Sequence, residues 1–344
     1  MYGGQMRVLT LAGSPFQIGE GHGTELGDQI RSYLADRLQL SGDPYWAGRD
    51  AESDRILALA EQTLPFHRDF DSDLYEEMTS LASAASISPA EAVVVGGFTD
   101  LIDLVRAEGG PSIEEDDCTA VVDADSAVLA QTWDMHASAG EYVVLLDIRP
   151  TVGPHALVQT TAGCLGQIGM NEAGVAIGIN NLTAIGRPGV TWPLVVRKVL
   201  QQSTLDAAIK VVADAELAGG HNFLIMGPDG AGCNIEAMPG GSKITRVETG
   251  AFVHTNHCLD PATAVEEGER NEFAKESSIA RLASGRQAAS DLDSFFTDPV
   301  INRRASSPHD VATCGAVSMH PRSRTMRVVR GIPAENPWEL FDLG

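Results

Sequence analysis

The sequence predicts an α+β fold in which layers of β-sheet are covered by helices. Residues 1–110 space their apolar side chains mainly at helical intervals. From residue 119 onward, short β-like runs bounded by Gly, Pro or Asn dominate, and helical patterns are inserted between them. Such strand-rich sequence with inserted helices is typical of sheet layers that bury a face against helices.

The composition is that of a folded protein with a strong negative charge. The chain has 344 residues, of which 43% are hydrophobic, and a formal net charge of −23. This length allows one large domain or two smaller ones. A polyanion repels phosphate backbones and anionic lipid surfaces, so we expect binding neither to nucleic acid nor to membranes.

Targeting features and cysteine usage predict a cytoplasmic protein. The sequence has no run of eighteen apolar residues, and its first residues lack the sustained apolar core of a secretory signal. The five cysteines are far apart and form no Cys-x-x-Cys pair, so we expect free thiols. They are Cys118, Cys164, Cys233, Cys258 and Cys314.

Four helices are predicted in the front part of the chain. The first covers 25–40, after a Gly-His-Gly step, and has apolar residues at helical spacing. A second is predicted over 51–64, and a third begins near Asp73. Ser88 followed by Pro89 marks the start of a fourth.

An acidic segment rich in breakers, 109–117, follows these helices and is predicted to be an exposed linker. Beyond it, strands are predicted over 119–124, 127–133, 142–148, 156–161, 174–179, 222–226, 232–237, 243–247 and 251–254, with a closing hairpin over 314–320 and 325–329. Helices are predicted over 193–202, 204–213, 270–283 and 291–296.

Cys118 lies where the linker ends and the first of these strands begins. A hairpin symmetrical about Ser126 would place Cys118 opposite Asp134 on the next strand. Directly paired residues of an antiparallel ladder hold their Cβ atoms about 4.5–5.5 Å apart. The spacing therefore predicts a thiol beside a carboxylate, although a small buried cysteine near a turn acid would give the same pattern.

A nucleophilic thiol needs a base, and two sources are open. His136 or His257 is one candidate source in an uncut chain. Cleavage of the peptide bond before Cys118 would supply another, because the thiol then acquires its own α-amine. Such an amine has a pKa of about 7.7–8.0, which suits proton transfer near neutral pH.

Side-chain amides at strand ends are candidate donors to an oxyanion. Asn256 follows the strand over 251–254, and Asn180 and Asn181 end an earlier strand. Asn171 is a further candidate, although its place in a β-turn accounts for it equally well. The set His254, His257 and Cys258 superficially resembles metal ligands, but alternate strand residues face opposite ways, so we expect no metal site.

Several segments together resemble the isopenicillin N acyltransferase (acyl-coenzyme A:6-aminopenicillanate acyltransferase) family, in the cysteine branch of the N-terminal-nucleophile (Ntn) hydrolases. The resemblance runs nearly end to end. The segments are Asp-Cys-Thr-Ala at 117–120, Gln-Thr-Trp-Asp at 131–134, Gly-Met-Asn-Glu-Ala-Gly-Val-Ala at 169–176 and His-Thr-Asn-His-Cys-Leu at 254–259, with weaker matches at 13–19 and 75–78.

The resemblance implies a four-layer αββα Ntn-hydrolase sandwich formed by a single domain, 1–344. It implies that an inactive precursor cuts itself between Asp117 and Cys118. The products would be an α chain, 1–117, and a β chain, 118–344. We expect the two chains to stay associated, because they would share one core.

The resemblance also implies the roles of the site residues. Cys118 would attack a linear, non-peptide amide and carry the acyl group as a thioester, while its α-amine shuttles the proton. Asp134 would hold that amine, Asn256 would donate to the oxyanion, and Asn180 or Asn181 would supply a second amide. Water or an acceptor amine would release the acyl group, with no cofactor. The substrate would be a small-molecule amide or an acyl donor such as acyl-CoA or another thioester, in secondary metabolism.

Two departures from the fungal family member limit what is carried over. Asp117 stands where the fungal enzyme has Gly, and Asp tolerates fewer backbone conformations. Thr313 and Cys314 stand where the fungal enzyme has a Ser-Arg pair, so penicillin substrates are not implied. The alternative is a catalytically idle or unprocessed small-molecule binding protein on the same fold.

Overall fold

The computed structural model describes residues 4–109 and 118–344. Asp117 and nearly all of the predicted linker lie outside the described residues. Within the described ranges, two β-sheets lie face to face and helices cover their outer faces. The order of elements agrees with the predicted helical front and strand-rich remainder.

The first helix, α1 (Pro15–Ser41), begins ten residues before the predicted start at residue 25. Its first turn carries a capping box: Ser14 and Gln17 each bond the other's backbone N–H. The two glycines that suggested a break lie inside the helix, and Gly23 lies against α4 (Ser72–Ala84). A Cβ on Gly23 would lie 2.3 Å from the carbonyl oxygen of Leu81. The glycines thus permit close helix packing, which is why the prediction of a later start was wrong.

The other helices of the front part start where the capping residues predict. Asp71 caps α4, and Ser88 forms a capping box at the start of α5. One helix, α3, continues through Pro65, beyond its predicted end. The bounds are α2 (Pro44–Ala47), α3 (Ser53–Phe70), α5 (Pro89–Gly96), α6 (Phe98–Arg106), α7 (Trp192–Val199), α8 (Leu205–Ala213), α9 (Pro261–Ala264), α10 (Glu272–Ala288) and α11 (Leu292–Thr297).

One sheet, here called sheet A, has eight strands within the described residues. In spatial order they are β1 (Val8–Gly13), β4 (Val143–Pro150), β5 (Ala156–Thr161), β6 (Ile168–Asn171), β7 (Ala176–Asn181), β8 (His221–Met226), β9 (Gly232–Met238) and β10 (Gly241–Val247). Only β1 and β4 run parallel; the remaining pairs are antiparallel.

The second sheet, sheet B, has six antiparallel strands within the described residues. In spatial order they are β11 (Ala251–His254), β2 (Thr119–Asp123), β3 (Val128–His136), β12 (Val311–His320), β13 (Thr325–Arg330) and β14 (Glu339–Asp342). Three of the described strands were not predicted: the edge strands β1 and β14, and β6 inside sheet A.

The inner faces of the two sheets are joined by polar as well as apolar contacts. Gln131 on β3 reaches across to the backbone of Ile179 on β7, accepting from its N–H at 2.8 Å and donating to its carbonyl. Gly178 allows this approach, since a Cβ there would lie 2.4 Å from the amide oxygen of Gln131. Helices α1 and α8 contact sheet A, and α10 contacts sheet B. The four-layer αββα sandwich is therefore confirmed.

No single helix among the described residues is long and apolar enough to cross a membrane. The pair α4 and α5 meets the length and composition criteria only when both are taken together across a 103° bend.

Candidate active site

Cys118 is buried, 1% exposed, immediately before strand β2. The β2–β3 hairpin pairs Thr119 with Thr132 and closes with Asp123 opposite Val128. Its loop has four residues, 124–127, and Ala127 completes the turn with a φ of 53°. The ladder therefore fixes where the thiol lies relative to β3.

The predicted pairing of Cys118 with Asp134 is wrong by one residue. A four-residue loop has its centre between two residues, whereas the prediction centred the hairpin on Ser126. Continuing the observed register would place Cys118 opposite Trp133. The thiol nevertheless contacts Asp134, with its Sγ 3.9 Å from the backbone carbonyl oxygen. Asp134 itself is fully buried, and the contact of the thiol is with the backbone of this residue, so a thiol beside the Asp134 carboxylate stays a prediction.

Three side chains hold the backbone of Cys118 in place. Its N–H donates to the Oδ1 of Asn256 at 2.8 Å. Its carbonyl oxygen accepts from the Nδ2 of Asn180 at 3.0 Å and from the Nη1 of Arg281 at 2.7 Å. All three side chains are fully buried. The backbone of Cys118 is therefore fixed by polar groups from sheet A, helix α10 and the loop after β11.

Asn256 lies at the centre of this arrangement. Its Oδ1 accepts a second hydrogen bond, from the Nη2 of Arg281 at 3.1 Å, and its Nδ2 donates to the carbonyl of Asn181 at 3.2 Å. Two converging donors fix which end of the amide is oxygen. In this state, Asn256 accepts from the Cys118 nitrogen, and its NH₂ group faces Asn181.

Glu236 on β9 organises the loop that presents Asn256. Its carboxylate accepts from the Nε2 of His254 at 2.9 Å, from the backbone N–H of Leu259 at 2.6 Å and from the hydroxyl of Thr263. Burial favours the neutral acid, but these hydrogen bonds outweigh it and lower the pKa of Glu236 to about 2. The loop is thus anchored on the carboxylate of Glu236. His254 was singled out from the sequence, but this partner was not.

The other residues of this loop do not form a metal site. No group of three or more metal-ligating side chains occurs in ranges 4–109 and 118–344. The ring of His257 meets the hydroxyl of Ser278 through Nδ1 at 2.7 Å, and burial lowers the pKa of His257 to about 4. The motif at 254–259 therefore contains a buried histidine bonded to Glu236, the amide of Asn256 and a second histidine bonded to Ser278.

Arg281 is the site residue that sequence reasoning missed entirely. It comes from the middle of α10 and is fully buried. Its guanidinium bonds the carbonyl of Cys118, the hydroxyl of Thr119 and the amide oxygen of Asn256. A single arginine in a helical pattern carries no signal of this role, because only the packing of α10 on β2 and β11 brings it to the nucleophile.

His136, the other candidate base, lies in an aromatic environment. Its Nδ1 meets the hydroxyl of Ser138 at 2.7 Å, and its ring packs edge-on against Trp46 and Phe98. Burial, followed by the charge of Arg37, holds the pKa of His136 well below its usual value. The ring is therefore neutral near pH 7 and is bonded to Ser138.

The side-chain amide of Asn171 stabilises the β-turn that follows β6. Its Oδ1 accepts from the N–H of Val175, and its Nδ2 donates to the carbonyls of Leu200 and Gln202. The alternative of an oxyanion donor at Asn171 is thus not supported, whereas Asn180 lies against Cys118.

Two cavities lie near the thiols of sheet B. One, of about 20 Å³, borders Cys118 and is lined by Arg37, Phe98 and Trp192 among others. This volume holds roughly one water molecule. The other, of about 600 Å³, has Cys314 in its wall, and small-molecule sites commonly span roughly 300–1,000 Å³. In the described residues, Cys118 is thus enclosed, whereas Cys314 borders the larger pocket.

Two facing sheets between helices, with a thiol at the start of an inner strand and its backbone held by buried amides, define a cysteine Ntn-hydrolase type of acyl-transfer enzyme. The family described as acyl-coenzyme A:6-aminopenicillanic acid acyl-transferase matches residues 121–300. The chain belongs to this family.

The chain is also similar to individual known proteins. The 40 kDa form of acyl-coenzyme A:6-aminopenicillanic-acid-acyltransferase from Emericella nidulans is 29% identical over 261 residues, which are 74% of this chain and 70% of the relative. A mutant of conjugated bile acid hydrolase from Clostridium perfringens aligns with a TM-score of 0.41 and 9% identity, covering 67% of this chain and 97% of that chain. Penicillin V acylase from Agrobacterium tumefaciens aligns with a TM-score of 0.41 and 11% identity, covering 66% and 86%. The fold assignment rests on this chain's own strand order.

Proposed function

We propose that this chain is a self-processing cysteine amidohydrolase or acyltransferase that acts on linear, non-peptide amides through a thioester on Cys118. The observation that carries the proposal is the hydrogen bond of the Cys118 N–H to the buried Oδ1 of Asn256, at 2.8 Å. This nitrogen would become the α-amine of the mature enzyme. The Oδ1 of Asn256 is therefore a ready hydrogen-bond acceptor for that amine.

In the first step, the precursor cuts itself between Asp117 and Cys118. The Sγ of Cys118 attacks the preceding carbonyl carbon, the C–N bond breaks and the Cys118 nitrogen takes a proton to become an amine. Water then hydrolyses the resulting thioester, which frees the thiol and leaves a carboxylate on Asp117. Arg281 and Asn180 support this step by holding the Cys118 carbonyl on the other side.

We infer one domain, 1–344, that becomes an α chain, 1–117, and a β chain, 118–344. Arg37 and Phe98 from the first part border the same cavity as Cys118. The two parts also share one apolar core, in which Leu26 and Leu101 belong to the same cluster as the strands of sheet A. These contacts support an α chain that stays bound after the cut.

Turnover then follows from the same groups. The α-amine takes the thiol proton, the thiolate attacks the substrate's acyl carbon, and the departing amine takes that proton from the ammonium. Asp134 holds the amine. Asn256, once its Nδ2 leaves the carbonyl of Asn181, donates to the oxyanion, and Asn180 is the second candidate donor. Water or an acceptor amine attacks the thioester, so hydrolysis and transfer share all steps up to this point.

The enclosure of the thiol supports assigning this state to the uncut precursor. Cys118 is 1% exposed, and the adjoining cavity has room for roughly one water. Cutting before Cys118 releases the chain on its amino side, which lets the site open. The name of the Emericella relative suggests acyl-CoA or another thioester as acyl donor, and no cofactor is needed for these steps.

Trapping of the acyl group tests this function directly. We expect purified protein, mixed with a panel of acyl thioesters and amides and quenched in acid, to gain one acyl mass on a peptide that begins at Cys118. Cys314→Ala is the matched control and should trap normally, whereas Cys118→Ala should trap nothing. Absence of an acyl adduct with every donor would favour the idle binding protein instead.

A further inference from the structure

Arg37 is a buried cation whose hydrogen bonds and ring contacts within the described residues are all with neutral groups. It is 3% exposed on α1, stacks over Phe98 at 4.0 Å and over Tyr33 at 4.6 Å, and donates to the Tyr33 hydroxyl. Its Nη1 lies 3.9 Å from the sulfur of Met135. Among residues 4–109 and 118–344, its Nε has no acceptor and no carboxylate forms an ion pair with it.

Arg197 shows how a buried arginine is usually compensated. It is paired with the carboxylate of Glu77 at 3.3 Å. A buried charge without a counter-charge is costly unless something else supplies it. Arg37 has no such counter-charge among the described residues, and its surroundings indicate which group could provide one.

Arg37 and Cys118 border the same small cavity. The cavity has room for roughly one water molecule, so Arg37 and Cys118 lie close together. An anionic group held by Arg37 would therefore be separated by only a few covalent bonds from the acyl carbon that Cys118 attacks. The neighbouring wall residues Phe98, Met135 and Trp192 leave the guanidinium as a cationic group in a largely apolar wall. In a chain of net charge −23, such a site selects anions locally.

We propose that Arg37 binds a carboxylate of the substrate, and hence that the enzyme acts on amides that carry a carboxylate close to the scissile bond. This inference rests on the proposed function. A planar guanidinium matches a carboxylate with two parallel hydrogen bonds, and the free Nε edge provides one of them. The carboxylate belongs either to the amine part, as in an N-acyl amino acid, or to the acyl part, as in the half-amide of a dicarboxylic acid.

The first test uses alkylation of Cys118 in the cut enzyme, where the thiolate displaces iodide from iodoacetate or iodoacetamide. The two reagents differ in the carboxylate that Arg37 would bind. We expect the ratio of the iodoacetate rate to the iodoacetamide rate to fall about tenfold or more in Arg37→Met, the size of a lost hydrogen bond to a charged group. Arg37→Lys should retain part of the preference, and Arg246→Met, on the exposed edge strand β10, should match the wild type.

The second test uses turnover by the wild type. N-Acylglycines are compared with N-acylglycinamides, and half-amides of dicarboxylic acids are compared with their diamides. We expect kcat/KM to favour the carboxylate member of one pair by about tenfold or more, and that pair identifies which part carries the carboxylate. The preference should disappear in Arg37→Met, whereas Arg246→Met should keep it.

The outcomes separate the two proposals. Equal turnover of both members of both pairs by the wild type would overturn the role of Arg37 and leave the proposed function intact. An unchanged reagent ratio in a folded Arg37→Met protein would do the same. A Cys118 that neither reacts with either reagent nor turns over any amide would overturn the proposed function and this inference with it.

Discussion

Two buried thiols of sheet B, Cys118 and Cys314, lie close to the same acid and yet have different surroundings. Cys118 has its N–H and carbonyl bonded by buried amide and guanidinium groups. Cys314 is the extra residue of a β-bulge in β12, and its Sγ contacts the backbone carbonyls of Met135 and Ala312. Burial, and then the charge of Asp134, raises the pKa of Cys314 to about 12.

The larger pocket lies beside Cys314, which is not the proposed nucleophile. Cys314 borders about 600 Å³ of open space, whereas Cys118 borders about 20 Å³. Pocket size alone would therefore select the wrong cysteine. What marks Cys118 is the set of polar groups that hold its backbone, because these fix the nitrogen that the proposed chemistry needs.

The largest effect should come from exchanging the two thiols for alanine. We expect Cys118→Ala to abolish both self-cleavage and turnover, because it removes the proposed nucleophile of each step. Cys314→Ala should leave both rates close to those of the wild type. Cleavage is followed on denaturing gels and turnover by release of the amine. Equal losses in the two variants would remove the distinction between these sites.

The next effect concerns Asn256. Asn256→Ala should lower turnover about a hundredfold or more, the usual size for the loss of one oxyanion donor. Cleavage should be less affected, because Arg281 and Asn180 still hold the Cys118 carbonyl. Single-turnover kinetics on already cut protein separate the two steps. Normal turnover by a cut Asn256→Ala enzyme would exclude the donor role.

Asp134 should have a smaller effect, chiefly on processing. Asp134→Asn keeps the shape of this buried side chain but removes its charge, so we expect self-cleavage to slow by about tenfold, as for a lost hydrogen bond to a charged group. The rate is measured on freshly synthesised precursor. Cleavage at the wild-type rate would contradict the role assigned to Asp134.

Glu236 should affect stability through pH. Its folded-state pKa of about 2 lies below the usual value of 4.5, so its stabilising contribution is present above about pH 4.5 and disappears as the pH falls towards 2. We expect Glu236→Gln to lower the free energy of unfolding by roughly 2 kcal/mol at pH 7. The difference between variant and wild type should shrink below pH 4.5 in denaturant titrations. A difference that does not depend on pH would show that the charge of Glu236 is not what anchors the loop.

Much of the fold could be predicted from the sequence because the local signals were strong. The helix start at Ser88 and most β-runs of both sheets appear where the patterns indicate. The start of α1 could not be predicted, since its glycines satisfy a tertiary contact with α4 that no local pattern shows. The hairpin register was wrong by one residue, because periodicity does not reveal whether a loop has an odd or even length.

The site was predictable only in part. Cys118, Asn180 and Asn256 were found as nucleophile and strand-end amides, and the structure brings them into direct contact. Arg281 and Arg37 were not found, because each lies on a helix where an arginine usually faces solvent. Their functional meaning arises from burial beside the nucleophile, which depends on how distant segments pack.

The central claim is that the peptide nitrogen of Cys118 becomes a free α-amine. Intact mass spectrometry of the purified wild-type protein beside Cys118→Ala tests it most directly. The account predicts two wild-type polypeptides, 1–117 and 118–344, and one uncut chain in the variant. A wild-type enzyme that remains a single uncut chain while it turns over amides would contradict the account.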